Sequence, residues 1–221
     1  IDKLKPRKSW PVRLAEFMDY FRNDSQLRDI LITGGDALMA SDKSLEQVLD
    51  AVYEMAVSKI EDNKNRPEGK KFAEMRRVRL GTRLLAYLPQ RITPELAEIL
   101  KAFKQKAMKI GMTQFVIQTH FETAMELTSE SKKAIERIQS AGWIITNQLV
   151  FTAGASKRGH TNKLRQALNT VGVLTYYTFT VKGFKENAAN FATNERAVQE
   201  QMQEKVIGQL PDEYLGEIRD I

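Results

Sequence analysis

The feature that most constrains the fold is a repeated alternation of short, branched apolar runs with segments of helical period. The first run, 29–33, is stopped by Gly34 and Gly35, which is typical of a buried strand in a parallel sheet. Strands are predicted over 29–33, 78–82, 114–119, 143–150 and 173–181. Their strict alternation with helices predicts an α/β fold in which a parallel sheet is covered by helices.

The helices between these strands follow from apolar residues spaced three and four apart. Thr93, followed by Pro94 and Glu95, is typical of a helix start. Helices are predicted over 11–22, 44–52, 93–103, 129–140 and 161–169, and a last one around Val198, Met202 and Val206. Ser44 and Gln47 form a possible capping box at the start of the second of these helices. This pattern suits a (β/α) barrel or a doubly wound open sheet, and it leaves both open.

Composition limits the chemistry more than the fold. The chain has 221 residues and no cysteine. A chain of this length buries enough surface to hold a core without disulfides or structural metal. The missing cysteines exclude thiol nucleophiles, disulfides, cysteine-ligated zinc and cysteine-held iron–sulfur clusters from what these residues can do unaided.

The domain organisation is simple. One core is expected over 1–207, followed by an extended tail over 208–221. The sequence contains neither a membrane-length apolar run nor a secretory segment, so a cytoplasmic location without a membrane partner is expected. Because the first residue is Ile1 and not methionine, we expect that it is not the native start.

The net charge of +6 is concentrated in one segment, 58–79, which carries eight positive and four negative side chains. Its Asn63, Asn65, Pro67 and Gly69 predict a solvated insertion loop between a helix and the second strand. Such a loop could also pack against another subunit. A nucleic-acid-binding module is the rival interpretation from a different functional class, but Phe72 is the one aromatic residue available for base stacking.

Ligand sites in parallel α/β folds lie at the carboxyl ends of the strands, so the residues that follow each strand are the candidates for a site. They are Gly34, Gly35 and Asp36 after the first strand, Thr82 and Arg83 after the second, His120 after the third and Lys182 after the fifth, together with Asn147 and Gln148 near the fourth. Glycines allow a ligand to approach the backbone, and a carboxylate accepts hydrogen bonds from an ammonium group. The residues alone leave structural alternatives open. His120 could be a packed structural residue, Arg83 could hydrogen-bond to carbonyls at a strand end, and Gln148 could satisfy backbone groups.

Several strings along the chain read DILITGGDAL from Asp29, LGTR from Leu80, LPQRITPEL from Leu88, QTHF from Gln118 and TNQ from Thr146. Taken together, these strings resemble the lysine 2,3-aminomutase family of radical S-adenosylmethionine enzymes. The resemblance runs from about Trp10 to Phe191. It implies a partial (β/α) barrel in which five of six βα units are present.

The resemblance also implies an activity and its cofactors. The activity is the exchange of an α-amino group with a β-hydrogen of an amino acid, and the cofactors are S-adenosylmethionine, a 4Fe-4S cluster and pyridoxal 5′-phosphate. It implies that Gly34, Gly35 and Asp36 hold the methionyl ammonium, with His120 and Gln148 near the same ligand; Arg83 is a further candidate for cofactor binding. The sequence assigns no catalytic residue and no metal ligand.

This sequence departs from the family pattern where the cofactors are held. The family uses a Cys-x-x-x-Cys-x-x-Cys loop for the cluster and a lysine in a glycine-rich segment for the pyridoxal, and neither is present. The chain therefore looks like the interior of a longer protein, and we expect it to be inactive by itself.

A second departure concerns the substrate. The lysine enzymes pair two aspartates with the distal ammonium of lysine, whereas the corresponding stretches here contain Lys157 and Lys182. A cation facing a substrate ammonium is unfavourable, but it pairs well with a carboxylate. The sequence therefore predicts glutamate or another non-lysine amino acid as substrate. Both lysines could instead extend to solvent from loops.

Two further questions stay open at this level. A related radical enzyme with another reaction fits the same strings, because a fold does not fix the substrate. The sequence is also compatible with a homo-oligomer.

Overall fold

The computed structural model describes residues 8–180, 189–207 and 211–214. Five parallel strands form one sheet: β1 (Asp29–Ile32), β2 (Arg77–Gly81), β3 (Gln114–Thr119), β4 (Ile144–Val150) and β5 (Leu174–Phe179). Their order in the sheet is their order in the chain. A doubly wound sheet reverses its order at a switch point, whereas a barrel adds each strand beside the last. The observed order therefore confirms a partial (β/α) barrel.

Helices connect the strands and cover one face of the sheet. They are α1 (Trp10–Asn23), α2 (Asp42–Lys64), α3 (Leu84–Tyr87), α4 (Pro94–Met108), α5 (Ser129–Ser140), α6 (His160–Thr170) and α7 (Asn194–Ile207). The start predicted at Thr93 is confirmed, because its side chain accepts a hydrogen bond from Leu96 N at 3.2 Å. The capping box predicted at Ser44 is wrong. Helix α2 is capped three residues earlier by Ser41, whose hydroxyl accepts the Ser44 N–H.

The hydrophobic core lies between the sheet and these helices. An aromatic cluster of Phe103, Phe115 and Trp143 joins α4 to the β3 and β4 region, with ring centroids 5.6–6.2 Å apart. The Trp143 indole N–H donates to Leu100 O at 3.0 Å, which satisfies the polar atom of a buried ring. The apolar side chains of each strand therefore face outward to the helices, as expected for a barrel.

The opposite face of the sheet is polar. Arg79 donates to Asp29 through two nitrogens at 2.9 Å each, and its remaining nitrogen lies 3.4 Å from the Gln118 side chain. Arg77 contacts both Asp29 and Gln114. These side chains link β1, β2 and β3 across the concave face. The interior of the partial barrel is therefore a charged, hydrogen-bonded surface.

The insertion loop predicted within 58–79 is wrong in its first part. Helix α2 continues to Lys64, and Lys59 is fully buried, with its Nζ donating to Phe21 O at 3.1 Å and Leu27 O at 2.9 Å. Asn63 is also buried and forms two hydrogen bonds with the backbone of Phe72, each of 2.9 Å. Backbone carbonyls replace the water that a lysine normally binds, so a charged residue ties α2 to the segment before β1.

Helix α7 is present where it was predicted, but the apolar stripe that predicted it faces away from the sheet. Val198, Met202 and Val206 are exposed, whereas Glu200 is buried. The Glu200 carboxylate accepts the Gly159 N–H at 2.8 Å and pairs with Arg196 at 2.7 Å. Two hydrogen bonds, one of them from a cation, thus offset the burial of this charge.

The predicted tail over 208–221 is described only at 211–214, where Asp212–Tyr214 forms one 3-10 turn. The extension of the fifth strand to 181 falls outside the described residues. Within the described parts of the chain, no helix is both long enough and apolar enough to cross a membrane.

Candidate functional site

The carboxyl ends of the strands form a rim in which most of the predicted residues meet. The loop after β1 carries Gly34, Gly35 and Asp36, the loop after β2 carries Arg83, and His120 follows β3 directly. Because neighbouring parallel strands end at the same edge, these loops are adjacent. The structure therefore brings together the side chains that the strand ends predicted.

Gly34 and Gly35 give the rim an open stretch of backbone. Their φ angles are +113° and +101°, a region that L-amino acids rarely adopt. No described atom lies within 4 Å of the Cβ that either position would carry. The glycines are thus required by backbone conformation, and space beside them is available to a ligand.

Asp36 fastens the first loop to the second. One carboxylate oxygen accepts hydrogen bonds from Leu38 N at 3.0 Å and from the Thr82 hydroxyl at 2.7 Å, and the other accepts Arg83 N at 2.6 Å. The Thr82 hydroxyl in turn accepts Leu84 N at 3.1 Å and so holds the start of α3. A carboxylate has about four acceptor positions, so one remains for a further donor.

Arg83 presents its guanidinium at the exposed side of the rim. It donates to the Tyr87 hydroxyl, and its Cζ lies 4.7 Å from the centroid of the same ring. In the described part of the chain, the Arg83 side chain hydrogen-bonds to Tyr87, so the alternative in which it holds a strand end through carbonyls is not observed there. Its backbone N–H, held by Asp36, fixes where the side chain emerges.

His120 lies within the electrostatic reach of the other rim residues. Burial lowers the pKa of its imidazole, and the charge of Arg83 lowers it further, whereas a hydrogen bond with the Gln148 backbone and the charge of Asp36 oppose the shift. The net lowering of the pKa keeps the ring neutral at pH 7. A neutral imidazole offers one donor and one acceptor to a ligand.

Gln148 lies inside β4, within the strand predicted over 143–150, and not at the strand end that was considered for it. The pairing of β4 with β5 shifts register between Asn147 and Gln148. Asn147 has the role that had been considered for Gln148: its side chain is buried and bonds both Phe121 N at 2.6 Å and Phe121 O at 3.1 Å. These two hydrogen bonds hold the segment after β3, and with it His120, against β4.

Glu122 is the rim residue that sequence reasoning missed. Burial and the nearby carboxylate of Glu126 raise its pKa to about 7, while Arg83 and a hydrogen bond from the Val150 backbone act in the opposite direction. Its Oε2 is buried and has no hydrogen-bond partner among the described residues. The signal in the sequence was its position two residues after His120, beyond the strand end that we considered.

The two lysines predicted to contact substrate have different outcomes. Lys157 follows the 3-10 turn Gly154–Ser156, and its side chain is exposed. Lys182 lies outside the described residues. The substrate-binding role of both stays a prediction.

No metal centre is found in the part of the chain that the structure describes: no group of three or more His, Cys, Asp or Glu side chains is placed to hold an ion. The buried lysine among the described residues, Lys59, lies at the amino-terminal side of β1, and its ammonium is bound by two carbonyls. The described residues therefore offer no ligand group for a cluster, and their fully buried lysine lies away from the rim.

Comparison with known proteins identifies relatives of this chain. No protein-family model matches it. It is 34% identical over 192 residues, 87% of the chain, to an uncharacterized KamA family protein of Methanocaldococcus jannaschii, and these cover 27% of that protein. It is 35% identical over 78% of its length to glutamate 2,3-aminomutase of Clostridioides difficile, of which it covers 35%. It is 33% identical over 76% of its length to L-lysine 2,3-aminomutase of Clostridium subterminale, of which it covers 34%.

Proposed function

The chain belongs to the lysine 2,3-aminomutase family, also called the KamA family, and from this premise we propose that the whole protein is an amino-acid 2,3-aminomutase, an isomerase. The chain spans about a third of the length of the aminomutases it matches. We propose that the function of this chain within the whole protein is to bind S-adenosylmethionine. The observation that carries this proposal is the rim at which the open Gly34 and Gly35 backbone meets Asp36 and His120.

The rim fits S-adenosylmethionine in its donor and acceptor chemistry. The remaining acceptor position of Asp36 suits the methionyl ammonium, and the neutral His120 and the amide of Gln148 suit the hydroxyl and ring nitrogens of a nucleoside. Gly34 and Gly35 let these groups approach the backbone. The chemistry that S-adenosylmethionine supplies in this family is radical abstraction of the β-hydrogen. The part of these residues is to bind and orient the ligand and to exclude water.

The other two cofactors of the family do not fit the described residues. A 4Fe-4S cluster requires thiolates, and the sequence contains no cysteine. The family holds pyridoxal on a lysine in a glycine-rich segment, which this sequence does not contain, and the buried Lys59 is bound by two carbonyls away from the rim.

We expect Gly35→Ala to weaken binding of S-adenosylmethionine at least tenfold, because a Cβ at this φ distorts the open backbone and occupies the space beside it. Isothermal titration of the 221-residue chain measures the effect. Gly69→Ala is the matched control, since Gly69 also has positive φ, +80°, and open surroundings but lies before β2, away from the rim. Equal affinities in wild type and Gly35→Ala, or no binding at all, would contradict the proposed role.

For the substrate we propose an acidic or neutral amino acid such as glutamate. The rim carries the cation Arg83, and Lys157 lies in the loop that follows β4. We expect the complete, cofactor-loaded enzyme to convert glutamate at least tenfold faster than lysine, as measured by the β-amino products. Lys157→Ala should lower kcat/KM for glutamate, and Lys163→Ala, an exposed lysine on α6, should not. Faster turnover of lysine would overturn this proposal, and a product without a β-amino group would point to another reaction of the family.

A further inference from the structure

Glu122 is a half-buried residue at the rim, between the ends of two strands. It follows β3 by three residues, and its carboxyl interacts with the backbone N–H of Val150, the last residue of β4. Its Oε2 has neither solvent contact nor a hydrogen-bond partner among the described residues. An ionised oxygen in this position lacks the donors that a buried charge requires. The local structure therefore favours a proton on this carboxyl when the rim is empty.

Charged groups approach Glu122 from two elements. Glu126, in the 3-10 turn Ala124–Glu126, is a carboxylate that accepts the Glu122 N–H at 2.7 Å, and it disfavours a second negative charge. Arg83, in the loop after β2, favours that charge. The balance of these two groups and burial raises the pKa of Glu122 to about 7. A carboxyl with such a pKa changes its charge when another ion binds at the rim.

Helix α6 also packs against the turn that carries Glu126, and it bears His160, Lys163 and Arg165. Lys163 is exposed, and Arg165 pairs with Glu204 of α7 at 3.2 Å. His160 begins the helix, next to Gly159. Arg83 is therefore the cation that the structure shows acting on Glu122 from outside its own turn.

We propose that Glu122 is a specificity-determining residue of this site, which keeps a proton while the rim is empty and releases it when a positively charged ligand binds beside Arg83. The site then favours a cationic ligand over its neutral analogue, and the preference grows as pH rises. This inference rests on the proposed function for its probes. S-adenosylmethionine carries a sulfonium, whereas S-adenosylhomocysteine has a neutral thioether at the same place.

The sign of the linkage follows from the charge of the ligand. A cation stabilises the ionised carboxyl, so it lowers the pKa of Glu122 in the complex and binding releases protons. If binding lowers that pKa by about one unit from 7, the affinity for S-adenosylmethionine rises about fourfold from pH 6 to pH 7.5. The affinity for S-adenosylhomocysteine should change far less.

The test is isothermal titration of wild type and Glu122→Gln with both ligands, at pH 6 and pH 7.5, in buffers of different ionisation enthalpy. We expect wild type to release about half a proton near pH 6.5 on binding S-adenosylmethionine, and Glu122→Gln to release markedly less. Titration of the ligand's own amino group affects both proteins equally and cancels in the comparison. Equal proton release and equal pH dependence in the two proteins would overturn the inference.

A measurement on the free protein separates this inference from the proposed function. The carboxyl carbon of Glu122, assigned by its loss in Glu122→Gln, is followed by carbon-13 NMR as a function of pH. A midpoint near 7 supports the inference, and a midpoint near the usual 4.5 overturns it whatever binds. If neither ligand binds, the proposed function fails, and the NMR midpoint alone decides whether Glu122 holds the proton.

Discussion

Replacing Asp36 with alanine is expected to lower the free energy of unfolding by about 3 kcal/mol and to abolish measurable binding of S-adenosylmethionine. The carboxylate accepts three hydrogen bonds, from Leu38 N, the Thr82 hydroxyl and Arg83 N, at 2.6–3.0 Å. Thr82 is buried, so its hydroxyl loses a partner that water replaces poorly. Urea unfolding gives the stability and isothermal titration gives the affinity.

Two variants show whether the effect belongs to this carboxylate. Asp36→Asn keeps an acceptor but loses the charge, so about half of the stability loss is expected. Asp24→Ala removes a carboxylate that also accepts two backbone N–H groups, from Gln26 and Leu27, but lies before β1. It should leave affinity unchanged. A free energy of unfolding for Asp36→Ala within 0.5 kcal/mol of wild type would contradict the assigned role, since ordinary surface substitutions fall in about that range.

The architecture was predictable because local patterns determine it. Each predicted strand begins within one residue of the observed one, the first four also end within one residue of it, and 129–140 matches α5 at both ends. A buried parallel strand leaves a signal of branched residues stopped by glycine, and a helix leaves a three-and-four period, so neither requires tertiary information. The choice between barrel and open sheet required the strand order, which the sequence pattern does not contain.

The two errors that concern burial share one physical cause. Lys59 and Glu200 are charged, so patterning placed them outside the core, but partners distant in sequence satisfy them there: Phe21 O and Leu27 O for the first, Gly159 N for the second. The spacing of apolar residues indicates which face of a helix is hydrophobic, but it does not indicate which polar side chains find hydrogen-bond partners in the core. The stripe containing Met202 therefore predicted the helix α7 correctly and its buried face wrongly.

The sequence could predict which residues lie together at the site, because the topology of a parallel sheet determines this. Strand ends of a parallel sheet meet, so Asp36, Arg83 and His120 could be placed together from the sequence alone. The role of each could not be assigned that way. Whether Asp36 binds a ligand or fastens two loops depends on the position of Thr82, and the pKa of Glu122 depends on burial and on Glu126.

Asn147→Ala is the second substitution with a large expected effect, a loss of about 3 kcal/mol in the free energy of unfolding. The side chain amide bonds both the N–H and the carbonyl of Phe121, at 2.6 and 3.1 Å, and both residues are buried. Without the amide, two backbone groups in the interior lose their partners, and each costs about 1–3 kcal/mol. Urea unfolding measures the sum.

The same substitution is expected to weaken binding of S-adenosylmethionine, since Phe121 lies between His120 and Glu122 and its anchoring fixes both. Asn147→Asp keeps an oxygen for Phe121 N but loses the donor to Phe121 O, so its effect should lie between those of alanine and wild type. Hydrogen exchange at Phe121 N gives an independent measure. If the bond to Asn147 protects this amide, its exchange in Asn147→Ala accelerates beyond the increase seen at β3 amides, which report global stability. An equal acceleration at both places would mean that Asn147 stabilises the fold as a whole and does not position the rim.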